Sequence, residues 1–320
     1  MQSAKANITH IEFALLLTFF FAGVFANASQ SSFEIIEDVP YTSSGHSRHK
    51  LDLFLPRNRK NTNELPLVVW IHGGGWQSGD KQTARNPHRL PIILKTKRYI
   101  GASICYRLSK DAKWPFQIYD CKAAIRWLRG NAEKYNIDPL KIAVWGSSAG
   151  GHLASMLGVT SGQKKLEGNL GSFQNISSRV QAVVNYYGPS AFLKMDDFPS
   201  RIIHKSPNSP ESKLLGFAIH RNHLIANEAS PLFHVSEKLP PFIHFHGKED
   251  PLVPYNQSLI FHEKLLSFGN RSSLITLNNG GHSMPYSYTS KFVIPFLDFH
   301  FHNIGKAPQN MTNELEEKTE

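Results

Sequence analysis

Residues 137–154 read IDPLKIAVWGSSAGGHLA. Within them Ile142-Ala143-Val144-Trp145 is a short apolar run between Lys141 and Gly146, the pattern of a strand covered on both faces. Gly146-Ser147-Ser148-Ala149-Gly150 follows and matches Gly-x-Ser-x-Gly. The stretch from His152 to Gly158 is compatible with a helix. A serine between two glycines, entered from a strand and left through a helix, is held in a sharp turn with its hydroxyl exposed. That context makes Ser148 the candidate nucleophile. Ser147 occupies the neighbouring position and is expected to face away.

The same strand-then-helix alternation extends in both directions from this turn. Leu67 to His72, Tyr99 to Tyr106, Val180 to Tyr187, Pro241 to His246 and Ser273 to Leu277 read as further strands. Between and after them, Gln117 to Lys134, Asn256 to Phe268 and Ser287 to Phe301 read as helices. In the first of these Ile118, Cys121, Ala124, Ile125 and Leu128 share one side, with charges opposite. Such alternation predicts an α/β fold with a mostly parallel central sheet and helices on both faces. Phe33 to Val39 and Lys50 to Leu55 are strands too close together for a crossover helix, so they should form an antiparallel N-terminal edge. Residues 29–303 then make one domain. The irregular stretch 189–238, with five prolines, is an insertion that could cap a pocket. Residues 304–320 form a polar tail expected to be frayed.

A hydroxyl nucleophile needs a base, an acid to orient the base, and donors for the oxyanion. His72-Gly73-Gly74-Gly75-Trp76 directly follows a strand, and its glycines can present backbone N–H groups unobstructed. The Ala149 N–H is a further donor. After a nucleophile in this setting the chain order is Ser, acid, His. Asp250, in the loop after the strand ending at His246, is the preferred acid, with Glu249 as its competitor. Asp196 and Asp197 lie in the insertion rather than after a strand and are set aside. His282, in Gly280-Gly281-His282 after the last strand, is the candidate base.

The sequence resembles the α/β-hydrolase superfamily, in particular its exported esterase/lipase branch, similar to bacterial feruloyl- and acetyl-esterase-like proteins. The resemblance rests on HGGGWQSGDK (72–81), YRLS (106–109), DCKAAIRWLR (120–129), IDPLKIAVWGSSAGGHLA (137–154), HGKEDPLVPYNQS (246–258) and GGH (280–282). It runs from about residue 43 to residue 301. It implies an α/β-hydrolase fold with Ser148 as nucleophile, His282 as base and Asp250 as orienting acid. The N–H groups of Gly74, Gly75 and Ala149 would form the oxyanion hole. Relatives of hormone-sensitive lipase often carry Asp where Ser147 stands, a departure that bears on subfamily rather than on the nucleophile.

Composition and charge close off other classes. Hydrophobic residues at 41 % and charged residues at 19 % are globular rather than disordered values. No dinucleotide or P-loop glycine motif occurs. The formal charge of +10 is scattered along the chain, which argues for a solvated surface and against nucleic-acid binding. Phe13 to Phe25 is an apolar run followed by Ala26-Asn27-Ala28, the form of a signal peptide (1–28) cleaved after Ala28. A secreted or periplasmic protein with no stable membrane insertion after cleavage is expected. In such a compartment Cys105 and Cys121 could pair, although Cys121 is also at home as a buried free thiol.

The histidine pairs His244/His246 and His300/His302 could ligate metal only if each shares a face; no metal site is assigned, and no cofactor is required. His152 is expected to support the turn rather than react. Asn175, Asn256, Asn270 and Asn310 begin Asn-x-Ser/Thr triplets. The function expected is a serine carboxylesterase acting through an acyl-enzyme on short-acyl esters, either small molecules or groups on acetylated or feruloylated polysaccharides. Amidase, formamidase or peptidase chemistry on the same triad is the alternative enzyme reading. A non-catalytic binding module on the same fold is the alternative from another class.

Overall fold

The computed structural model describes residues 33–57 and 64–314. The predicted signal segment (1–28), residues 29–32 and 58–63, and residues 315–320 lie outside the described residues. Among the described residues nine strands form one sheet: β1 (Phe33–Pro40), β2 (Lys50–Pro56), β3 (Leu65–Ile71), β4 (Ile100–Ile104), β5 (Ile137–Ser147), β6 (Ala182–Tyr186), β7 (Phe242–Gly247), β8 (Ser272–Leu277) and β9 (Met311–Asn313). Their spatial order is β1-β2-β4-β3-β5-β6-β7-β8-β9. β1 pairs antiparallel with β2, and β2 antiparallel with β4. Every later neighbouring pair is parallel. The protein therefore has the α/β-hydrolase architecture, with the antiparallel edge at its N-terminal side.

Period-two alternation divides the core into two layers. Leu67, Val69 and Ile71 of β3 face one layer with Ile100, Ala102 and Ile104 of β4. The helices Phe116–Gly130, Ala149–Val159 and Asn256–Ser267 close that side. Val68 and Trp70 face the other layer with Ala143 and Trp145. The helices Leu90–Leu94 and Ile294–His302 cover it. Ile118, Cys121, Ala124, Ile125 and Leu128 are all fully buried, so the apolar stripe of the first long helix points as its spacing predicts.

Three elements depart from the sequence expectation. The helix read as 117–134 breaks at Asn131, whose side-chain amide turns back to the Trp127 carbonyl, and resumes for Ala132–Tyr135. The helix read as 287–301 opens with a π turn, Thr289–Val293, and becomes α-helical only from Ile294. Pro295 has no N–H to donate one turn back, and the wider turn accommodates that loss. The tail, expected to fray from residue 304, is tied down as far as Glu314. β9 pairs with β8 through Ile275↔Met311, Thr276↔Thr312 and Leu277↔Asn313. Asn310 Oδ1 also accepts the Leu274 N–H, and Ser273 donates to the Pro308 carbonyl. The attachment is made by main-chain and polar groups, so hydropathy does not announce it.

Because β3 to β8 run the same way, the loops after Ile71, Ser147, Tyr186, Gly247 and Leu277 all emerge at the sheet's carboxyl edge, where α/β sheets place ligands. Residues 189–238 fold as short helical turns, including Phe192–Asp197, Pro210–Leu215, His223–Glu228 and Pro231–His234.

Candidate active site

Ser148 sits between β5 and the helix Ala149–Val159 with φ 55° and ψ −122°. This is a left-handed conformation that costs a non-glycine residue about 1–3 kcal/mol. The surroundings impose it: the Ser148 N–H donates to the Tyr186 carbonyl at 2.8 Å, and its carbonyl accepts from His152 N–H at 3.0 Å. The flanking glycines are required by close approach. A Cβ on Gly146 would lie 2.1 Å from the Gly150 carbonyl oxygen, and one on Gly150 would lie 2.1 Å from the Ile71 oxygen. The Gly-x-Ser-x-Gly spacing thus lets β5, its helix and β3 meet without side chains between them.

The loop after β3 is shaped from below. Gly74 has φ 111°, and a Cβ there would lie 2.4 Å from the Ser78 carbonyl oxygen. His72 is fully buried. Its Nδ1 lies 2.7 Å from the Gly73 carbonyl and its Nε2 lies 2.8 Å from Arg48 Nη2. Arginine can only donate, so Nε2 accepts and Nδ1–H donates. Burial lowers the His72 pKa to about 4 against the opposing pull of the Gly73 carbonyl, and Arg48 depresses it further. The ring is therefore neutral and fixed in one tautomer. Tyr106 stacks on it and donates to the His72 carbonyl at 2.9 Å. Arg107 and buried Asp120 in turn clamp the Tyr106 segment, with the Arg107 N–H 2.8 Å from Asp120 Oδ2. The YR of YRLS and the first residue of DCKAAIRWLR are thus braces for the glycine loop.

Asp250 is buried in the loop after β7. Its Oδ2 lies 2.6 Å from His282 Nδ1 and 3.2 Å from His246 Nε2. Its Oδ1 accepts the N–H groups of Leu252 and Val253 at 2.8 and 3.0 Å. Burial opposes ionisation, but the hydrogen bonds from His246 and His282 outweigh it and hold the carboxyl well below its usual range. Glu249, the competitor, is exposed. Asp196 is engaged by the main-chain N–H groups of His204 and Lys205, and Asp197 is exposed.

Ser148, Ala149, His282, Gly74 and Gly75 all line one cavity of about 380 Å³. The structure thus brings together every residue singled out for the triad and the oxyanion hole. The insertion supplies Pro189, Ile202, Pro210 and Glu211 to the same wall. Ser147 requires a correction. It does not face away but lines the cavity and hydrogen-bonds Tyr187. Strand alternation puts it on the Trp145 side of β5, beside Tyr187, whose ring lies 4.4 Å from that of His282.

A family model described as BD-FAE matches residues 51–265. The chain belongs to the BD-FAE family. The matched region carries the glycine loop, Ser148 and Asp250, and His282 follows it. Among curated relatives, the chain is 32 % identical over 236 residues to a probable carboxylic ester hydrolase, LipM, of Mycobacterium tuberculosis, covering 71 % of this chain and 51 % of that protein. The chain spans about half the length of the curated relatives it matches. Among solved structures it is similar to a bifunctional GH43-CE protein of Bacteroides eggerthii, with TM-score 0.77 and 35 % identity over 85 % of this chain and 35 % of that one. A truncated carbohydrate esterase from gut microbiota superposes with TM-score 0.72 and 29 % identity, over 85 % of this chain and 97 % of that one.

Around the BD-FAE site, several residues have duties that sequence reading left open. His246 is fully buried beside the acid, with Nδ1 2.7 Å from Ser258 Oγ. His246 and Ser258 both fall in the HGKEDPLVPYNQS stretch, the one signal that could have flagged them. His244, on the same strand, meets Asn185 instead. His152 is buried against Trp76 and Phe192 and bonds the Ala229 carbonyl at 2.6 Å. It braces the helix Ala149–Val159 against the insertion, as expected for a supporting residue. Cys105 and Cys121 are both buried free thiols, so the possible disulfide is not made. Cys105 is occupied with Asp80 and the Lys81 N–H, while Cys121 faces the core. Asn270 is buried and holds the Leu239 N–H and the Ser236 carbonyl, so its triplet serves packing.

Proposed function

We propose that the chain is a serine carboxylesterase acting on short-acyl esters of carbohydrates. The observation that carries this reading is the 2.6 Å contact of His282 Nδ1 with Asp250 Oδ2, in a cavity that His282 shares with Ser148. A carboxylate only accepts, so Nδ1 carries the proton and Nε2 is the basic atom. Nε2 takes the Ser148 proton as Oγ attacks the ester carbonyl. The N–H groups of Gly74, Gly75 and Ala149 receive the oxyanion, each donor being worth about 3–4 kcal/mol. Collapse expels the alcohol, protonated by His282. Water then repeats the sequence on the acyl-enzyme. No cofactor takes part.

The small cavity supports a short acyl group. The carbohydrate-esterase neighbours support a sugar alcohol. We further propose that the protein acts outside the cytoplasm after removal of residues 1–28, which suits a polymer-linked substrate.

The test is hydrolysis of p-nitrophenyl esters from acetyl to long acyl, beside matched anilides, by the parent protein and by Ser148→Ala. Turnover that favours acetyl or butyryl and vanishes in the variant is expected. Serine-independent turnover, or preference for the anilides, would overturn the reading.

A further inference from the structure

The cavity wall carries one acidic side chain among its described lining residues, Glu211. It is 2 % exposed and belongs to the short helix Pro210–Leu215 of the insertion. The preceding Pro210 abuts the glycine loop: a Cβ on Gly75 would lie 3.4 Å from the Pro210 Cβ. Glu211 is therefore held next to the segment that receives the oxyanion.

His204 fixes the carboxylate. It is fully buried, and its Nδ1 lies 3.0 Å from Glu211 Oε2. A carboxylate accepts, so Nδ1–H is the donor. The histidine is itself secured by Asp196, whose two oxygens accept the N–H groups of His204 and Lys205, each at 2.7 Å. Ser200 Oγ lies 3.2 Å from His204 Nε2. Among the described residues only Oε2 is engaged; Oε1 has no protein partner. A buried carboxylate is costly without hydrogen bonds. One that faces a ligand cavity with half its accepting capacity unused is arranged to meet a donor on the ligand.

We propose that Glu211, oriented by His204, accepts a hydrogen bond from a free hydroxyl on the alcohol portion of the ester, so that the enzyme selects partly acylated sugars over fully acylated ones. The proposal rests on the carbohydrate-esterase reading above. A neutral hydroxyl can donate to Oε1 without a second charge having to be stripped of water. The acyl side of a short ester has no such donor. The fully acylated sugar has lost its hydroxyls and leaves Oε1 unmet in the bound state, which site-built hydrogen bonding penalises strongly.

The experiment compares kcat/KM on monoacetylated methyl β-xyloside and on its fully acetylated counterpart, for the parent protein, Glu211→Gln and Glu211→Leu. The parent should favour the monoacetylated sugar. Both variants should lower that preference about ten- to a hundredfold, as expected for a lost hydrogen bond to a charged group, mainly through KM of the monoacetylated substrate. Glu211→Gln keeps the side chain's shape, and its unfolding midpoint checks the fold. An unchanged preference, or an equal loss on both sugars, overturns the proposal, the second outcome marking Glu211 as purely structural. p-Nitrophenyl acetate assayed on the parent separates the two levels. Turnover there with no sugar preference sinks this inference alone, whereas no turnover of any ester sinks the parent reading and this inference with it.

Discussion

Tyr106 lies flat against His72, ring centroids 4.4 Å apart, and its hydroxyl closes on the His72 carbonyl at 2.9 Å. The contact joins the segment after β4 to the loop after β3. It ties the presentation of the Gly74 and Gly75 N–H groups to a clamp, Arg107 on Asp120, whose two residues are not among those lining the cavity.

Removing the hydroxyl should therefore act at a distance. Tyr106→Phe keeps the stacking and loses one buried hydrogen bond, about 1 kcal/mol. We expect kcat for p-nitrophenyl acetate to fall about fivefold with KM little changed, because the loss falls on oxyanion stabilisation. A KM effect alone would show that the loop is held otherwise.

Gly146 and Gly150 should resist even a methyl group. Gly150→Ala puts a Cβ into the Ile71 carbonyl, a backbone atom that cannot rotate away. We expect destabilisation of about 3 kcal/mol or more, measured by urea unfolding. Gly281→Ala is the contrast for stability, since a Cβ there meets nothing within 4 Å. Its change should stay within about 0.5 kcal/mol.

Acidification should weaken the fold in two stages. Burial lowers His72, His152 and His300 each to about 4, and His244 is lowered well below its ordinary value. The unfolded chain protonates these histidines near pH 6.5 while the folded chain does not. Stability complete above that pH therefore declines as pH falls toward 4. Each group adds up to about 1.4 kcal/mol per pH unit. Asp250 is depressed, so its contribution is present above pH about 4 and is lost only in stronger acid. His152→Gln should flatten the first stage by about one proton when urea midpoints are followed from pH 7 to 4. An unchanged slope would show that His152 is already charged in the folded protein.

Thiol counting checks the cysteines. Burial raises Cys105 to about 11 and puts Cys121 well above its ordinary value, and the thiolate is the reactive form. Ellman's reagent should find no thiol in the native protein and two after denaturation. None after denaturation would mean a disulfide.

What could be read from the sequence follows from how each feature is encoded. β3 and β5 are legible because strands covered on both faces are apolar without interruption. Ser148 is legible because the close approaches at Gly146 and Gly150 exclude other residues. Position after a strand narrows the acid to Glu249 or Asp250; the fold separates them, burying Asp250 against His282 and leaving Glu249 exposed. The settings of His246 and Glu211 are not legible, because each depends on a partner, Ser258 or His204, brought close only by the fold. The direction of Ser147 is set by the pleat of β5, which the turn motif alone does not encode. β9 is not legible because its residues, two exposed and one half-buried, join the sheet through their main chain.

That last strand alters where the folded unit ends. β8 carries Leu274, Ile275 and Leu277, and β9 occupies its outer row of main-chain donors and acceptors. A chain shortened at residue 303 would keep the candidate triad, the cavity and both core layers, and would pass for complete by its hydrophobic pattern. It would also bare the side of an apolar strand, the feature through which separate molecules join edge to edge. The polar C-terminal segment thus covers that side of the sheet, and shortening the chain is expected to show first as precipitation.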